Sequence, residues 1–361
     1  MAEKTDISET QLLLSYGNDI CMNLLKDHTT QQNIYWATDS YEYLDEERKK
    51  KGEKTEYSFF DPITIEKITG INDRLVRPRA VKSKEEQLKR VKDKAEVFTP
   101  AWICNAQNNL IDEVWFGRKV NLFNCPDPTN PNSWINNESP IEFPEGKTWK
   151  DYVSDVRIEI TCGEAPYLAN RYDAVTGGYN EVAKYRIGIL DRKLRIVSEN
   201  VNDSKEWILW GKIALRSTYG FEWQGDNLLL AREALFFTFA EHYIEKFGEA
   251  KYRQNKSRMM PGVAYIISWN IWQMDGLKYG LPGYEPYIEE ISNGRFTGSL
   301  FEEDEEKKRE PLPHERLCLI KDFFAGIDLK KESLKSLDFH DQTAPKQTFE
   351  SLVNVKNNKT S

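Results

Sequence analysis

The sequence VRIEITCGEAPYL, residues 156–168, passes from an alternating run of β-branched and charged residues into a glycine turn. Alternation with a period of two is typical of a half-buried strand. Gly163 then permits the tight turn that follows a strand end, because glycine tolerates backbone angles that other residues avoid. Glu159 lies near the end of the run, three residues before Cys162. This stretch therefore predicts a strand with polar groups at its carboxyl end.

Two later segments continue this succession of strand, turn and helix. The run GDNLLLAREALFFTFAEHYIEKFG, residues 225–248, predicts a buried helix that Asp226 could cap and Gly248 could end. The run AYIISWNIWQMDGL, residues 264–277, predicts another buried strand that ends in a turn containing Asp275. Such alternation predicts an α/β domain with a mainly parallel sheet, whose ligands bind beyond the carboxyl ends of the strands.

The composition of the chain suggests three parts. Residues 1–94 form a helical, partly basic N-terminal region, residues 95–295 form the α/β domain, and residues 296–361 form a charged linker and a mobile tail. The α/β domain begins with a predicted helix in which Thr99 suits the N-cap and Pro100 suits the first helical position.

A basic run, residues 74–94, holds nine Lys and Arg residues against three Asp and Glu residues. Such runs are often solvated helices or loops, and we give that interpretation equal weight. The alternative is an arm that contacts DNA phosphates, since clustered cations provide the sequence-independent part of DNA affinity. The candidate DNA-binding residues are Arg74, Arg77, Arg79, Lys89, Arg90 and Lys92.

The overall composition excludes several classes of protein. The 361 residues are 39% hydrophobic and include ten tryptophans, which is enough to fill a sizeable core. No apolar run approaches a membrane span, and the polar start MAEKTDISET does not resemble an export signal. Five scattered cysteines without a CxxC pair fit a reducing compartment, so we expect a cytoplasmic protein without a metal site. The net charge of -8 argues weakly against general coating of nucleic acid.

Four stretches, in this order, resemble the N6-adenine DNA methyltransferases of restriction-modification systems, in the group labelled restriction endonuclease subunit M. They are AEVFTP (95–100), EITCGEAPYL (159–168), the run 218–232 and NIWQMDGL (270–277), so the resemblance covers roughly half of the chain. It implies a class I S-adenosylmethionine (SAM) methyltransferase-like, Rossmann-like fold with SAM as cofactor. The implied partners are DNA and a restriction or specificity subunit, with no membrane.

The resemblance also implies roles for individual residues near SAM. Glu222 would bind the ribose hydroxyls and Asp275 the adenine amine, with Trp272 as a stacking neighbour. The other implied cofactor neighbours are Phe98, Thr99, Glu159, Cys162 and Gly163. Each feature also has an ordinary structural explanation: a helix cap, a tight strand-end turn, a partly exposed strand-end carboxylate, or a tryptophan in the core.

The sequence departs from the family pattern at two places. Ala165 replaces a second glycine of the turn, and Glu164 adds a negative charge beside the expected position of the methionine moiety. The Asn/Asp-Pro-Pro-Tyr/Phe tetrapeptide that grips the extruded base is absent, and the nearest match is YEPY, residues 284–287. The catalytic residues are therefore unknown. The leading function is adenine-N6 modification of DNA, and the alternatives are an inactive subunit that binds DNA or a partner nuclease, or methylation of another substrate.

Overall fold

The computed structural model describes residues 8–94, 99–118, 122–284 and 316–357. The helices are α1 (Glu9–Tyr16), α2 (Asn18–Leu25), α3 (Glu46–Lys51), α4 (Ile65–Ile68), α5 (Lys84–Lys94), α6 (Ala101–Phe116), α7 (Trp149–Ser154), α8 (Ile189–Asn200), α9 (Ser204–Arg216), α10 (Gly225–Phe247), α11 (Glu249–Asn270), α12 (Leu334–Thr343) and α13 (Phe349–Asn357). The strands are β1 (Asn124–Pro126), β2 (Trp134–Asn136), β3 (Arg157–Glu159), β4 (Thr218–Glu222), β5 (Ile271–Gln273), β6 (Leu319–Lys321) and β7 (Lys346–Thr348).

A three-stranded parallel sheet lies among the helices in the order β3-β4-β5. Glu159 pairs with Gly220, and Glu222 pairs with Gln273, so the three strands end at the same edge. Helices α8 and α9 connect β3 to β4, and α10 and α11 connect β4 to β5. Long connections of this kind are what parallel neighbours require. The prediction of an α/β architecture with parallel strands is confirmed at this level.

The third strand is much shorter than the sequence suggests. We predicted a strand from residue 264, but α11 continues to Asn270 and only Ile271–Gln273 are extended. A short run of apolar residues does not distinguish a strand from a buried helix. When nearly every residue is apolar, neither the two-residue period of a strand nor the 3.6-residue period of a helix can be recognised. Helix α10 begins one residue before Asp226, with Gln224 at the N-cap, so Asp226 lies in the first turn and does not cap the helix.

The N-terminal region shares the main hydrophobic core with the helices around the sheet. Its segment around Tyr35 lies against the start of α10, where the Gly225 amide donates to the Trp36 carbonyl at 2.9 Å. A Cβ on Gly225 would lie only 1.9 Å from the Tyr35 carbonyl oxygen, so this contact requires glycine. The side-chain amide of Gln273 bonds both the amide and the carbonyl of Tyr35. The N-terminal region therefore packs directly against the ends of β4 and β5.

The C-terminal segment that the structure describes, residues 316–357, is also packed. Strands β6 and β7 form an antiparallel pair, and Arg216 bonds both carboxylate oxygens of Asp341 on α12. We expected a mobile tail here, and the described segment is held against α9 and α11 by this buried ion pair and by apolar contacts. The charged linker at residues 302–311 lies outside the described residues.

Helix α6 begins at Ala101 with Pro100 at the N-cap, so the prediction of Thr99 as N-cap is wrong by one position. The first helical amide, Ala101 N–H, is accepted at 2.8 Å by the carboxylate of Asp173. A distant acid thus satisfies an amide that the sequence assigned to a local cap. Gly117 ends the helix in the left-handed conformation.

Candidate functional site

The turn after β3 has an unusual backbone. Thr161, Gly163 and Ala165 have φ angles of 50°, 55° and 60°, in the left-handed region that favours glycine. The Cys162 amide between them donates to the Phe221 carbonyl at 2.8 Å and so holds the turn to β4. Ala165, at the position where the methyltransferases named above have glycine, has a backbone conformation typical of glycine. Residues in such conformations carry backbone strain, and strain of this kind concentrates at functional sites.

Glu222 connects the end of β4 to this turn. One oxygen of its carboxylate accepts the Gly163 N–H at 2.8 Å, and the other accepts the Gln224 N–H at 3.2 Å. The side chain is buried, and burial raises the pKa of Glu222 although the amide hydrogen bonds act in the opposite direction. The structure thus brings together Gly163 and Glu222, two of the residues to which the resemblance gives a role.

Glu159, at the end of β3, is a second buried carboxylate in this region. The backbone amides of Tyr167 and Leu168 act to lower the pKa of its carboxyl group, by less than burial raises it. Within the described residues, its Oε2 atom has no hydrogen-bond partner. Burial raises the pKa of Glu159 well above its ordinary value, and the negative charge of Glu222 adds to that rise. Among the groups described here, no cation lies against either carboxylate.

Glu164 is directed away from the position that the sequence suggested. Its two carboxylate oxygens accept the backbone amide of Arg79 at 2.7 Å and the hydroxyl of Tyr172 at 2.9 Å. The extra negative charge in the turn therefore anchors the basic run and does not face a cofactor position. Sequence reasoning missed this contact because the two partners are 85 residues apart.

Asp275 follows β5 at the same edge of the sheet. The preceding amide, Met274 N–H, donates to the Glu222 carbonyl at 3.0 Å, so the turn begins beside the end of β4. The carboxylate of Asp275 accepts the Leu277 and Lys278 amides and closes its own turn. Trp272 lies in a small apolar cluster, where its ring packs against Phe221 and Phe349. This position favours the alternative interpretation of Trp272, that it is a residue of the hydrophobic core.

The helix before the sheet contributes one nearby residue. Thr99 is half-buried and shares a hydrogen bond with Tyr167, two residues beyond the strained turn. Its carbonyl also accepts from the Cys104 thiol at 3.7 Å. Phe98, the other residue predicted there, lies outside the described residues.

The basic run contacts the strand-end turn through Arg79 and Glu164, and its candidate DNA-binding residues have different surroundings. Arg74, Lys89 and Lys92 are exposed. Arg77 pairs with Glu86 at 2.8 Å, and Arg79 is half-buried with its amide on Glu164.

Arg90 differs from the other candidates because it is buried. Its guanidinium donates to Asp226 at 2.7 Å and to Gln224 at 3.2 Å, directly beyond the end of β4. Arg90 therefore supports the strand-end region from the inside. This geometry does not favour the predicted contact between Arg90 and a DNA phosphate, because the charge of Arg90 is already balanced by Asp226.

The residues that the structure describes contain no group of three or more His, Cys, Asp or Glu side chains arranged to hold a metal ion. Across those residues, every helix is too short or too polar to cross a bilayer. Comparisons of the chain with protein-family models, curated proteins and solved structures found no match.

Proposed function

We propose that the protein binds SAM at the carboxyl ends of β3, β4 and β5 and serves in the N6 modification of adenine in DNA. The observation that carries the proposal is the hydrogen bond from the Gly163 amide to the Glu222 carboxylate. It joins the turn after one parallel strand to the acid that ends the next, at the edge where α/β sheets bind ligands. The strained backbone of residues 161–165 supports a function for this turn.

The residues at this edge suit the parts of SAM unequally. Glu222 presents an oriented carboxylate, which is the group that binds ribose hydroxyls in dinucleotide-binding folds. Glu159 has a buried oxygen without a partner among the described residues, and an ammonium group is a suitable partner for it. Asp275 is at the correct edge, but its carboxylate already closes a turn, so its proposed contact with adenine requires the free lone pairs of Oδ1 or Oδ2.

The chain alone is a poor candidate for rapid methyl transfer. Its full sequence has no Asn/Asp-Pro-Pro-Tyr/Phe tetrapeptide to align the target amine. Correct positioning contributes about 7–11 kcal/mol to well-oriented reactions, so its loss reduces turnover by orders of magnitude. We therefore propose a modification subunit that binds cofactor and needs a partner for brisk transfer. The competing function, an inactive subunit that binds DNA or a nuclease, predicts no SAM binding at this edge.

A calorimetric titration with SAM tests the proposal. Glu222→Gln keeps the shape of the side chain and removes its charge, and Glu206→Gln, on an exposed turn of α9, is the matched control. We expect the wild type and the control to bind equally, and Glu222→Gln to bind at least about tenfold more weakly, the scale of a lost charged hydrogen bond. Absence of heat and of a thermal shift with millimolar SAM would refute the proposal, as would unchanged affinity of Glu222→Gln.

A further inference from the structure

A cavity of about 720 Å³ lies between residues 39–44, residues 71–77 and α5, and it adjoins the strand-end region at Arg90. Its walls hold five cationic side chains and three acids. The cations are Arg74, Arg77, Lys82, Lys89 and Arg90, and the acids are Asp39, Asp73 and Glu86. The volume lies in the range of small-ligand sites, which runs from roughly 300 to 1,000 Å³. The excess of positive charge favours an anion.

Lys82 is the most informative residue of this cavity. Its side chain is only 4% exposed, and its Nζ atom has no hydrogen-bond partner among the described residues. The nearest carboxylate oxygen, on Asp226, is 3.9 Å away, which is too far for a hydrogen bond. A buried ammonium group without hydrogen bonds is costly, so such a group indicates a missing partner.

Asp226 does not need Lys82 as its counter-ion. The carboxylate already accepts hydrogen bonds from Arg90 at 2.7 Å, from the Tyr41 hydroxyl at 2.8 Å and from the Asn227 amide at 2.9 Å. Arg90 forms the closest ion pair with Asp226, and the charge of Lys82 acts on the same carboxylate from 3.9 Å. Two cations therefore face one carboxylate, which leaves a surplus positive charge on the wall of the cavity.

The outer part of the cavity can guide an anion towards Lys82. Arg74 and Lys89 are exposed and have no ion-pair partner in the described part of the chain. The neighbouring acids are engaged: Glu86 pairs with Arg77, and Asp73 accepts the Thr10 amide. Tyr43, whose side chain is also on the wall, is 60% exposed and offers an aromatic face to a planar ring.

We infer that this cavity binds the phosphate of a nucleotide, with Lys82 as the innermost contact and Arg74 and Lys89 at the entrance. The nucleotide is either free or part of a DNA strand. The inference does not depend on SAM binding, because it rests on a different set of residues. Phosphate supplies the acceptors that the Lys82 ammonium lacks, and the ring of Tyr43 suits the base.

Titration with deoxyadenosine monophosphate, inorganic phosphate and a short single-stranded oligodeoxynucleotide tests the inference. Lys82→Met keeps most of the apolar side chain and removes its charge, whereas Arg74→Ala/Lys89→Ala changes only the entrance. Lys251→Ala is the control, because Lys251 is exposed on α11, outside the basic run, and does not line the cavity. Circular dichroism establishes whether each variant folds; if Lys82→Met does not, the entrance variant decides the result.

We expect nucleotide binding that Lys82→Met weakens at least about tenfold and the entrance variant weakens by about threefold or more, with no change in Lys251→Ala. Binding of the oligonucleotide alone would identify a DNA strand as the source, and binding of the monophosphate a free nucleotide. Lack of binding of all three probes, or equal binding by the cavity variants and wild type, would overturn the inference. Glu222→Gln should leave nucleotide binding unchanged. The proposal of SAM binding can therefore fail without affecting this inference, and the two outcomes can be told apart.

Discussion

Two buried groups of charges in this protein are organised in opposite ways. Around α8, acids lie against guanidinium groups: Asp112 bonds Arg157 at 2.7 Å and Arg192 at 2.6 Å. At the strand ends, Glu159 and Glu222 are held by backbone amides, with no cation against them in the described residues. The first arrangement compensates the loss of water around each charge, whereas the second leaves part of that loss uncompensated.

The pKa values follow this difference. Burial acts to raise the pKa of Glu241, but Arg171 and Arg186 outweigh it and lower the pKa to about 2. Burial also raises the pKa of Glu159 and of Glu222, and there no guanidinium opposes it. Fully paired carboxylates are typical of a structural network. Buried carboxylates whose charged form is not stabilised by a cation are typical of functional sites.

The largest expected effect comes from breaking the paired group. Asp112→Ala leaves Arg192 buried without an acid and Arg157 with only the half-exposed Asp155, and loss of one partner from a buried pair costs about 3–5 kcal/mol. Urea denaturation at pH 7 measures the loss, with the exposed Asp19→Ala as control. A cost below about 1 kcal/mol, the range of exposed pairs, would show that the network is not structural.

A second, smaller effect concerns pH and Glu241. Its folded pKa lies below its unfolded value, so its contribution to stability is present above about pH 4.5 and is lost as the pH falls towards 2. Glu241→Gln should lower the free energy of unfolding by about 3 kcal/mol at pH 7, since the pKa falls from 4.5 to about 2 and one pKa unit corresponds to about 1.4 kcal/mol. In urea denaturation, the difference in free energy of unfolding between wild type and Glu241→Gln should be smaller at pH 3 than at pH 7. A difference independent of pH contradicts the proposed charge pairing.

The smallest effect has the opposite sign. The folded pKa of Glu159 is raised, so the folded state holds its proton more tightly, and stability declines as the pH rises above about 4.5. Glu159→Gln removes this penalty and should stabilise the protein at pH 8 by about 1–2 kcal/mol, the scale of an imperfectly satisfied buried group. At pH 4 the variant should match wild type. Destabilisation at both pH values would mean that the charge of Glu159 is compensated.

The sequence was sufficient to predict that acids gather at one edge of the sheet. Alternation identifies β3, the family resemblance implies the strand that ends at Glu222, and parallel pairing places Glu159 and Glu222 at neighbouring ends. It also identified Gly163, because a strand-end turn needs glycine. The conformation of Ala165 was not predictable, since a positive φ at alanine is imposed by the surrounding fold and runs against the preference of the residue.

Long-range partners limited the rest of the prediction. The basic run predicted exposed cations, yet Arg90 and Lys82 are buried beside Asp226, more than 130 residues away. Nothing in the local pattern marks which lysine or arginine of a charged helix turns inward. Glu164 likewise binds Arg79 rather than a cofactor. The cavity was therefore absent from the sequence-based hypothesis, although several of its residues were named in it.

The contact between Gln273 and Tyr35 has a consequence for how the chain folds. The two residues are 238 positions apart, and the Gly225 amide meets the same segment at Trp36. Closing the loop between Tyr35 and Gln273 costs conformational entropy before the contact can stabilise the chain, and such non-local contacts slow folding. During synthesis the segment around Tyr35 emerges long before β5 exists. The ends of β4 and β5 can therefore reach their final form only late, after the helices between them have been made.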